Sequence, residues 1–260
     1  MKREKREREK VYIYGKHALH EALRYAPQVL RKVFLSAEVA KDKELQNLLR
    51  QQKVPFEVME KRGASRMVGE DTSHQGVIAI ADTSSLVLDF KDFLAALQPD
   101  ETTLLVLMDE LNDPHNVGAI IRSAAAFGAA GVLMPSHNQT PITGSVVKSS
   151  AGMAFRVPLV SIGNVNYTLG LLQEAGFKAY ALAMSGSKSI SKVLFDAPSV
   201  FVVGNESTGI RQKTFEQCDE IIRIPMHPRC ESLNASVSAA VVLYQWSVQH
   251  PQSLKAAQGK

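Results

Sequence analysis

The sequence predicts an α/β protein with two units, a small one near the N-terminus and a larger one built on a parallel sheet. After Thr102, five apolar runs alternate with helical or small-residue stretches: TLLVLM, AGVLMP, KAYALAM, SVFVVG and IIRIPM. Strands that are apolar on both faces are covered by helices on both sides, as in a parallel sheet. With 45% hydrophobic residues, the 260-residue chain can form a sizeable core.

The first ten residues form a charged segment. Six Lys or Arg residues and three Glu residues follow Met1 without an apolar residue, so they carry +3 of the formal net charge of +4. Because such a segment has no apolar surface to bury, we expect residues 1–10 to be a mobile arm. The arm either contacts phosphates or is a solvated tail without a role. The pI of about 9.0 favours an anionic partner.

Shorter strand and helix patterns follow the arm and predict a small α/β unit. VYIYGKHALHEAL indicates a strand, a glycine and a helix; KVFLS, a charged helix near residues 42–52, PFEVM and GVIAI continue the alternation. Ser84, Ser85 and Pro99 surround a short amphipathic segment, which is typical of a linker. The predicted boundaries are 11–82 for the first unit, 83–101 for the linker, 102–250 for the second unit and 251–260 for a polar tail.

Several classes of protein are disfavoured by what the sequence lacks. Cys218 and Cys230 are the only cysteines and have no zinc-type spacing, so we expect neither a disulfide framework nor a metal site. The N-terminus is charged where a signal peptide is apolar, and no apolar run is long enough to cross a bilayer. We therefore expect a soluble, cytoplasmic protein with no membrane partner.

The first segment that suggests chemistry is DPHNVGAIIR, residues 113–122. Asn116 stands where the N-cap of a helix from about Val117 belongs, and that structural role alone can explain it. Arg122 has only small neighbours three and four positions away in the helix, namely Gly118, Ala119, Ala125 and Ala126. A long cation among small side chains leaves room for a substrate or a second subunit; the alternative is an ordinary exposed arginine.

Two further segments follow buried strands. GNESTG, residues 204–209, comes after SVFVVG, and ligands of open α/β sheets bind at the carboxyl ends of the strands. The alternative is an ordinary turn. SLNASV, residues 232–237, opens a helix with Ser232, Asn234 and Ser236, which either cap the helix or help its N-terminus to bind an anionic cofactor group. Small residues in this helix also permit close packing against a second protomer.

In this order, the three segments resemble the SpoU-type (TrmH-like) RNA ribose methyltransferases of the SPOUT superfamily. They match the motifs DPxNxGxxxR, GxExxG and IPM…SLNxSV, and the resemblance covers most of Leu104 to Gln245. Ser238 departs slightly from the family, where alanine is commoner. In the first unit, YGKHAL and SHQGVIAI are similar to the ribosomal-protein-like substrate-binding domain that is often fused in front.

The resemblance implies a trefoil-knot domain, a homodimer formed through that domain, and methyl transfer from S-adenosylmethionine to a ribose 2′-hydroxyl. The matching polar positions, our candidate catalytic residues, are Asn116, Arg122, Glu206, Ser232 and Asn234. The positions expected to bind the cofactor are Gly204, Ile224, Met226, Leu233 and Ser236. Because a guanidinium has no free lone pair, we expect Arg122 to stabilise alkoxide charge or to bind a phosphate.

The expected substrate is structured RNA. We predict contacts with its backbone from Lys16, Arg24, Arg31, Lys32 and Arg66, against the alternative of solvated charge. The separate front unit favours ribosomal over transfer RNA. Two other functions compete with this one. A catalytically silent RNA-binding assembly factor is disfavoured by the intact motifs, and a nucleotide-dependent oxidoreductase is disfavoured by the missing GxGxxG fingerprint.

Overall fold

The structure is a computed structural model that describes residues 10–70 and 72–254. The predicted arm, except for its last residue, and the last six residues of the predicted tail lie outside the described residues. The elements of the first unit are β1 (Val11–Tyr14), α1 (Lys16–Tyr25), β2 (Leu30–Leu35), α2 (Lys43–Gln51), β3 (Phe56–Val58), α3 (Lys61–Val68) and β4 (Val77–Ala81).

The first unit is built on a four-stranded sheet with the order β1-β4-β2-β3. β4 is antiparallel to both of its neighbours, and β2 and β3 are parallel. Gly15 connects β1 to α1 with a φ of 101°, which glycine adopts without the steric cost that a Cβ adds. The Asp42 carboxylate caps α2 by accepting a hydrogen bond from the Leu45 amide. The predicted small α/β unit is confirmed.

The second unit contains an eight-stranded sheet, in which every strand pair is parallel. The strand order is β10-β12-β9-β11-β6-β7-β8-β5. Its elements are β5 (Val87–Asp89), α4 (Phe90–Ala96), β6 (Leu104–Asp109), α5 (Pro114–Ala126), β7 (Gly131–Pro135), α6 (Gly144–Ser149), β8 (Leu159–Ile162), α7 (Val165–Glu174), β9 (Lys178–Leu182), β10 (Lys188–Ser189), β11 (Ser199–Gly204), α8 (Gln212–Gln217), β12 (Glu220–Arg223) and α9 (Ala235–Gln249). The predicted parallel sheet is confirmed.

Helices cover both faces of this sheet, as the doubly apolar strands predict. Alternate residues of β6 face opposite ways, so that Val106 belongs to the same buried cluster as Ile120 of α5 and Val242 of α9, whereas Leu107 belongs to a second cluster with Leu169 of α7. All of these side chains are fully buried. α5, α6 and α9 therefore lie on one face of the sheet, and α4 and α7 lie on the other.

The segment 83–101 is more ordered than the linker that the sequence analysis expects. It contains β5, which pairs with β8 at the edge of the sheet, and α4. Phe90 and Phe93 of α4 are buried against the sheet. Three-residue strands such as β5 give almost no periodic signal, which is why Ser84, Ser85 and Pro99 dominate the sequence pattern there.

The two units share one hydrophobic core. Gly144 at the start of α6 lies so close to β1 that an added Cβ would be 2.0 Å from the carbonyl oxygen of Tyr12. Arg156 forms a two-pronged ion pair with Glu21 of α1, with its Nη2 2.8 Å from Oε1. The first unit is therefore packed directly against α6 and the segment that follows it.

The helix that carries Asn116 and Arg122 begins earlier than expected. The N-cap of α5 is Asp113, whose carboxylate accepts a hydrogen bond from the His115 amide, and Pro114 occupies the first helical position. The interpretation of Asn116 as the N-cap of a helix from Val117 is thus wrong. Asp113 satisfies the helix end, so the Asn116 side chain is free to bond elsewhere.

Candidate active site

The candidate site lies where the chain connections of the large sheet diverge. From β6 the chain crosses to β7 on one side, whereas from β11 it continues to β12 on the other side. β6 and β11 are neighbours, so the residues after Asp109 and after Gly204 meet at the carboxyl edge of the sheet. Ligands of open parallel sheets bind at such a point.

A chain of side-chain hydrogen bonds joins the three motifs at this edge. The Asn116 amide nitrogen donates to Oε1 of Glu206 at 2.8 Å, and its amide oxygen accepts from the Asn234 amide nitrogen at 2.9 Å. The Asn234 oxygen in turn accepts from the backbone amides of Ser236 and Val237, which caps α9. Asn116 is buried, whereas Glu206 and Asn234 are exposed. Asn116 therefore connects two groups that can face a ligand.

The loop after β11 folds tightly onto itself. Asn205 and Gly209 exchange backbone hydrogen bonds, and Gly209 has a φ of 71°. A Cβ added to Gly204 would lie 2.4 Å from the backbone carbon of Gly209, so no other residue fits there without moving the loop. The Asn205 carboxamide accepts hydrogen bonds from the Ser207 and Thr208 amides. The loop is therefore preorganised by its own backbone.

An ion-pair cluster, which no motif in the sequence predicts, holds the far end of this loop. Asp109 is fully buried, and its carboxylate accepts hydrogen bonds from Nε of Arg211 at 2.9 Å and from the Arg211 backbone amide at 3.1 Å. Arg211 also donates to Glu110 at 2.8 Å. The sequence does contain one signal for this cluster. Asp109 directly follows the apolar run TLLVLM, and a carboxylate at the end of a buried strand needs a charged partner.

A cavity of about 480 Å³ opens beside the loop, between the carboxyl ends of β9, β11 and β12. Four of the five residues predicted to bind cofactor line it: Gly204, Ile224, Met226 and Leu233. Ser236 is not among its lining residues, because its hydroxyl lies 2.6 Å from the Asn234 oxygen and belongs to the helix cap. The candidate catalytic residues Glu206 and Ser232 also line the cavity. Ala183, Met184 and Ser185 after β9 complete one wall, which no motif predicted.

Arg122 does not line this cavity. Its side chain is exposed on α5 and forms no hydrogen bond or ion pair with another residue of the described chain. Gly118, one of its small neighbours, is explained by helix packing instead: a Cβ there would lie 1.9 Å from the Ser149 hydroxyl of α6. The expectation that Gly118 leaves room for a ligand is therefore wrong, whereas Ala126 is exposed beside Arg122.

The cations predicted to contact RNA lie on the first unit. Lys16, Arg24 and Arg66 are exposed. Arg31 and Lys32 already pair with Asp82 at 2.7 Å and Glu57 at 2.6 Å. The hydrogen bond from Ser84, together with that from Arg31, lowers the pKa of the Asp82 carboxyl. Arg31 and Lys32 therefore have less free charge to offer a phosphate than the other three.

In residues 10–70 and 72–254, no helix is long and apolar enough to span a membrane. Within the same ranges, no group of three His, Cys, Asp or Glu side chains is arranged to hold a metal ion. The cavity lining is mostly apolar and backbone, with Glu206 as its one acidic side chain. These features suit an organic ligand rather than a metal centre.

Comparisons with known proteins agree with this arrangement. The model of the SpoU rRNA Methylase family matches residues 103–244, and that of the RNA 2′-O ribose methyltransferase substrate binding domain matches residues 12–87. The chain is 32% identical to the 23S rRNA (guanosine-2′-O-)-methyltransferase RlmB of Bordetella pertussis, over 89% of this chain and 94% of that protein. It is 35% identical to RlmB of Acinetobacter baylyi, over 90% and 95% of the two chains.

The fold is also shared with solved structures. The SpoU methyltransferase AviRb from Streptomyces viridochromogenes, solved in complex with AdoMet, superposes with a TM-score of 0.80, at 24% identity and over 93% of this chain and 91% of that one. Fold and site thus define an RNA 2′-O-ribose methyltransferase. More particularly, the chain belongs to the SpoU rRNA Methylase family.

Proposed function

We propose that this protein transfers a methyl group from S-adenosylmethionine to a ribose 2′-hydroxyl of ribosomal RNA, as the names of its RlmB relatives describe for 23S rRNA. The observation that carries the proposal is the Glu206–Asn116–Asn234 chain of hydrogen bonds beside the 480 Å³ cavity. It brings all three motifs of the family to one point on the sheet. High coverage of the RlmB relatives favours ribosomal over transfer RNA.

The cavity fits the methyl donor. Its volume lies in the range of about 300–1,000 Å³ found for small-molecule pockets. Ile224, Met226 and Leu233 offer apolar contacts, and the glycine turn at Gly204 offers close backbone approach. The bound sulfonium supplies an already activated methyl group. The protein's tasks are therefore to place the ribose oxygen in line and to manage its proton.

The residues of the hydrogen-bonded chain divide these tasks. Asn116 fixes the position of the Glu206 carboxylate, whose second oxygen has no hydrogen bond within the described chain and is free to accept one from a ribose hydroxyl. Ser232, at the cavity wall, supplies a hydroxyl that orients the sugar. Arg122 stabilises the developing alkoxide charge or binds the adjoining phosphate. A guanidinium has no free lone pair, so Arg122 is not the proton acceptor.

The site requires a second copy of the chain. Arg122 does not reach the cavity of its own protomer, yet it is exposed and without an ionic partner in the described chain. α9 beside it presents Val237, Tyr244 and Val248 to solvent at 47, 59 and 55% exposure. Val237 and Tyr244 are seven residues apart, and Tyr244 and Val248 are four apart, so all three lie on one face of the helix. In the homodimer this face is covered, and Arg122 of one copy serves the cavity of the other.

The fold and the front unit complete the proposal. We expect the segment after β11 to thread through the knot of the family, and the units 11–82 and 102–250 to act as substrate-binding and methyltransferase domains. Lys16, Arg24 and Arg66 contact the RNA backbone, with smaller contributions from Arg31 and Lys32. If so, RNA affinity falls steeply as salt increases.

The proposal is tested by mass spectrometry of nucleosides from a strain that lacks the gene. Loss of one 2′-O-methylated nucleoside from ribosomal RNA, restored by the purified protein with S-adenosylmethionine, is the expected result. Loss from the transfer RNA fraction alone would redirect the activity to transfer RNA. Unchanged nucleosides in both fractions, with no restoration, would refute the activity.

The role of Arg122 is tested by Arg122→Lys, which keeps the charge but removes the planar two-pronged donor. We expect kcat to fall about 100-fold while the Kd for S-adenosylmethionine, measured by calorimetry, stays unchanged. Arg50→Lys on α2 is the control, because Arg50 lies outside the site. Near-normal turnover of Arg122→Lys would contradict this role.

A further inference from the structure

A second cavity lies on the same edge of the sheet, on the other side of the loop 204–211. Its volume is about 510 Å³, and it is formed by residues that follow β6, β7 and β8 together with the start of α8. Gln212 lines both cavities, so only the loop and its Asp109–Arg211–Glu110 cluster separate them. The two cavities are therefore neighbours on one edge of the sheet.

The chemistry of this second cavity suits a nucleotide. Five of its side chains carry amide or imidazole groups: His137, Asn138, Asn164, Asn166 and Gln212. Such groups offer both donors and acceptors, which match the hydrogen-bonding edges of bases. Asn138 and Asn166 are each held by one hydrogen bond, to Glu110 and from Thr214, so their other polar atoms keep a fixed direction.

One exposed cation at the cavity wall can bind a phosphate. Glu110 and Arg211 also line the cavity, but Arg211 pairs with both Glu110, at 2.8 Å, and the buried Asp109, so this cluster carries one net negative charge. Lys213 is exposed at the wall and makes no ion pair with another described residue, so its ammonium group can meet a phosphate. Tyr167, one residue beyond Asn166 but not part of the cavity wall, is 64% exposed, and an exposed aromatic ring can stack on an unpaired base.

We propose that this cavity binds a nucleotide of the RNA substrate next to the one that is methylated. The amide and imidazole groups contact its base, and Lys213 contacts its phosphate. This inference rests on the proposed ribose methylation of RNA and extends it, because it places sequence recognition on the methyltransferase domain itself. The front unit is then not the sole source of specificity.

The chain offers a matched pair of glycines for a direct test. An added Cβ meets no heavy atom within 4 Å at Gly163, which lines the second cavity, or at Gly170, which lies on α7 away from it. Neither has a positive φ. Both positions accept a Cβ in open space, so Gly163→Phe adds bulk at the wall of the second cavity, and Gly170→Phe adds the same bulk away from it as the control. Lys213→Glu, with Lys91→Glu on α4 as control, reverses the charge without filling space.

The substrate is unmethylated ribosomal RNA from the deletion strain. We expect Gly163→Phe and Lys213→Glu each to raise the Kd and KM for this RNA about tenfold, and Lys213→Glu to reduce the salt slope of binding by about one. The controls and the Kd for S-adenosylmethionine stay unchanged. Unchanged RNA binding in both variants overturns the proposal.

Failure of the proposed function is seen separately. If the wild-type protein binds this RNA but transfers no methyl group, ribose methylation is refuted. The Kd values of the four variants for RNA, measured by filter retention, still decide whether the second cavity binds RNA. Donor affinity in the same preparations shows whether each variant is folded.

Discussion

At the residue scale, Asn116 has the largest structural consequence for the site. Its two amide atoms are both used, one to hold Glu206 and one to hold Asn234. An aspartate at this position lacks the donor that Glu206 needs and places a second carboxylate beside it. The three motifs are therefore joined because the side chain at position 116 is an amide, which offers both a donor and an acceptor.

The two cysteines differ sharply in their environments. The Cys218 thiol is partly buried and donates to the carbonyl oxygen of Thr214 at 3.2 Å, whereas Cys230 is exposed in the loop before α9. Burial, reinforced by the charges of Asp219 and Asp109, raises the pKa of Cys218 to about 12. Only the thiolate reacts with alkylating reagents, so at pH 8 Cys218 reacts far more slowly than a thiol whose pKa is not raised.

We therefore expect iodoacetamide to label one thiol per native chain at pH 8, and peptide mass spectrometry to place the label on Cys230. The Cys230→Ser variant is expected to react only after denaturation. Rapid labelling of native Cys230→Ser would show that the Cys218 thiol is accessible and ionised.

At the element scale, the contact between α5 and α6 sets the position of Asn116. Gly118 permits this contact, because a Cβ there would lie 2.7 Å from the Val146 carbonyl oxygen as well as 1.9 Å from the Ser149 hydroxyl. Gly118→Ala forces the helices apart, and we expect a loss of about 1–3 kcal/mol in the free energy of unfolding, measured with urea.

Gly170→Ala is the control for this prediction. It is also helical, but an added Cβ meets nothing within 4 Å, so alanine should be neutral or stabilise the protein by about 0.5–1 kcal/mol. If Gly118→Ala and the wild type had equal free energies of unfolding, the prediction would be wrong, and α6 would move to accept the Cβ without loss of stability.

The exposed face of α9 yields a prediction about assembly. Tyr244 is at its centre, and its ring contacts Phe127 at a centroid distance of 6.0 Å. A buried charge without a partner is costly, so Tyr244→Glu should convert a dimer into a monomer in light scattering and abolish methyl transfer. Tyr167→Glu, an equally exposed tyrosine on α7, should leave the dimer intact. A wild-type monomer in solution would rule out the shared site.

At the scale of the whole molecule, the two units are held in one fixed relation. Besides its ion pair with Glu21, Arg156 lies over the Tyr25 ring at 4.2 Å, and hydrogen bonding to Glu21 raises the pKa of Arg156. Lys148 of α6 donates to the carbonyl oxygen of Ser73 in the first unit. The position of the front unit relative to the site is therefore fixed by direct contacts.

Removal of this link should weaken the whole fold. Arg156→Ala leaves the Glu21 carboxylate, whose side chain is 9% exposed, without its partner. We expect a loss of about 1–3 kcal/mol in one cooperative urea transition, because the core is continuous. Arg50→Ala, which removes an exposed arginine of α2, should change stability by less than about 0.5 kcal/mol. Two separate transitions in the wild type would contradict a shared core.

Much of this molecule is encoded locally. The apolar runs determine which segments become strands covered on both faces, because each run is a local pattern. Each of the three motifs is also a short local pattern, so the family can be identified from the sequence alone. Asn234 likewise caps its helix through amides two and three positions away. Tertiary structure alone decided the rest. Asn116 bonds to residues 90 and 118 positions away, and Asp109 to Arg211, which is 102 positions away. Such pairs depend on the strand order, which brings β6 beside β11, and no local periodicity contains that order.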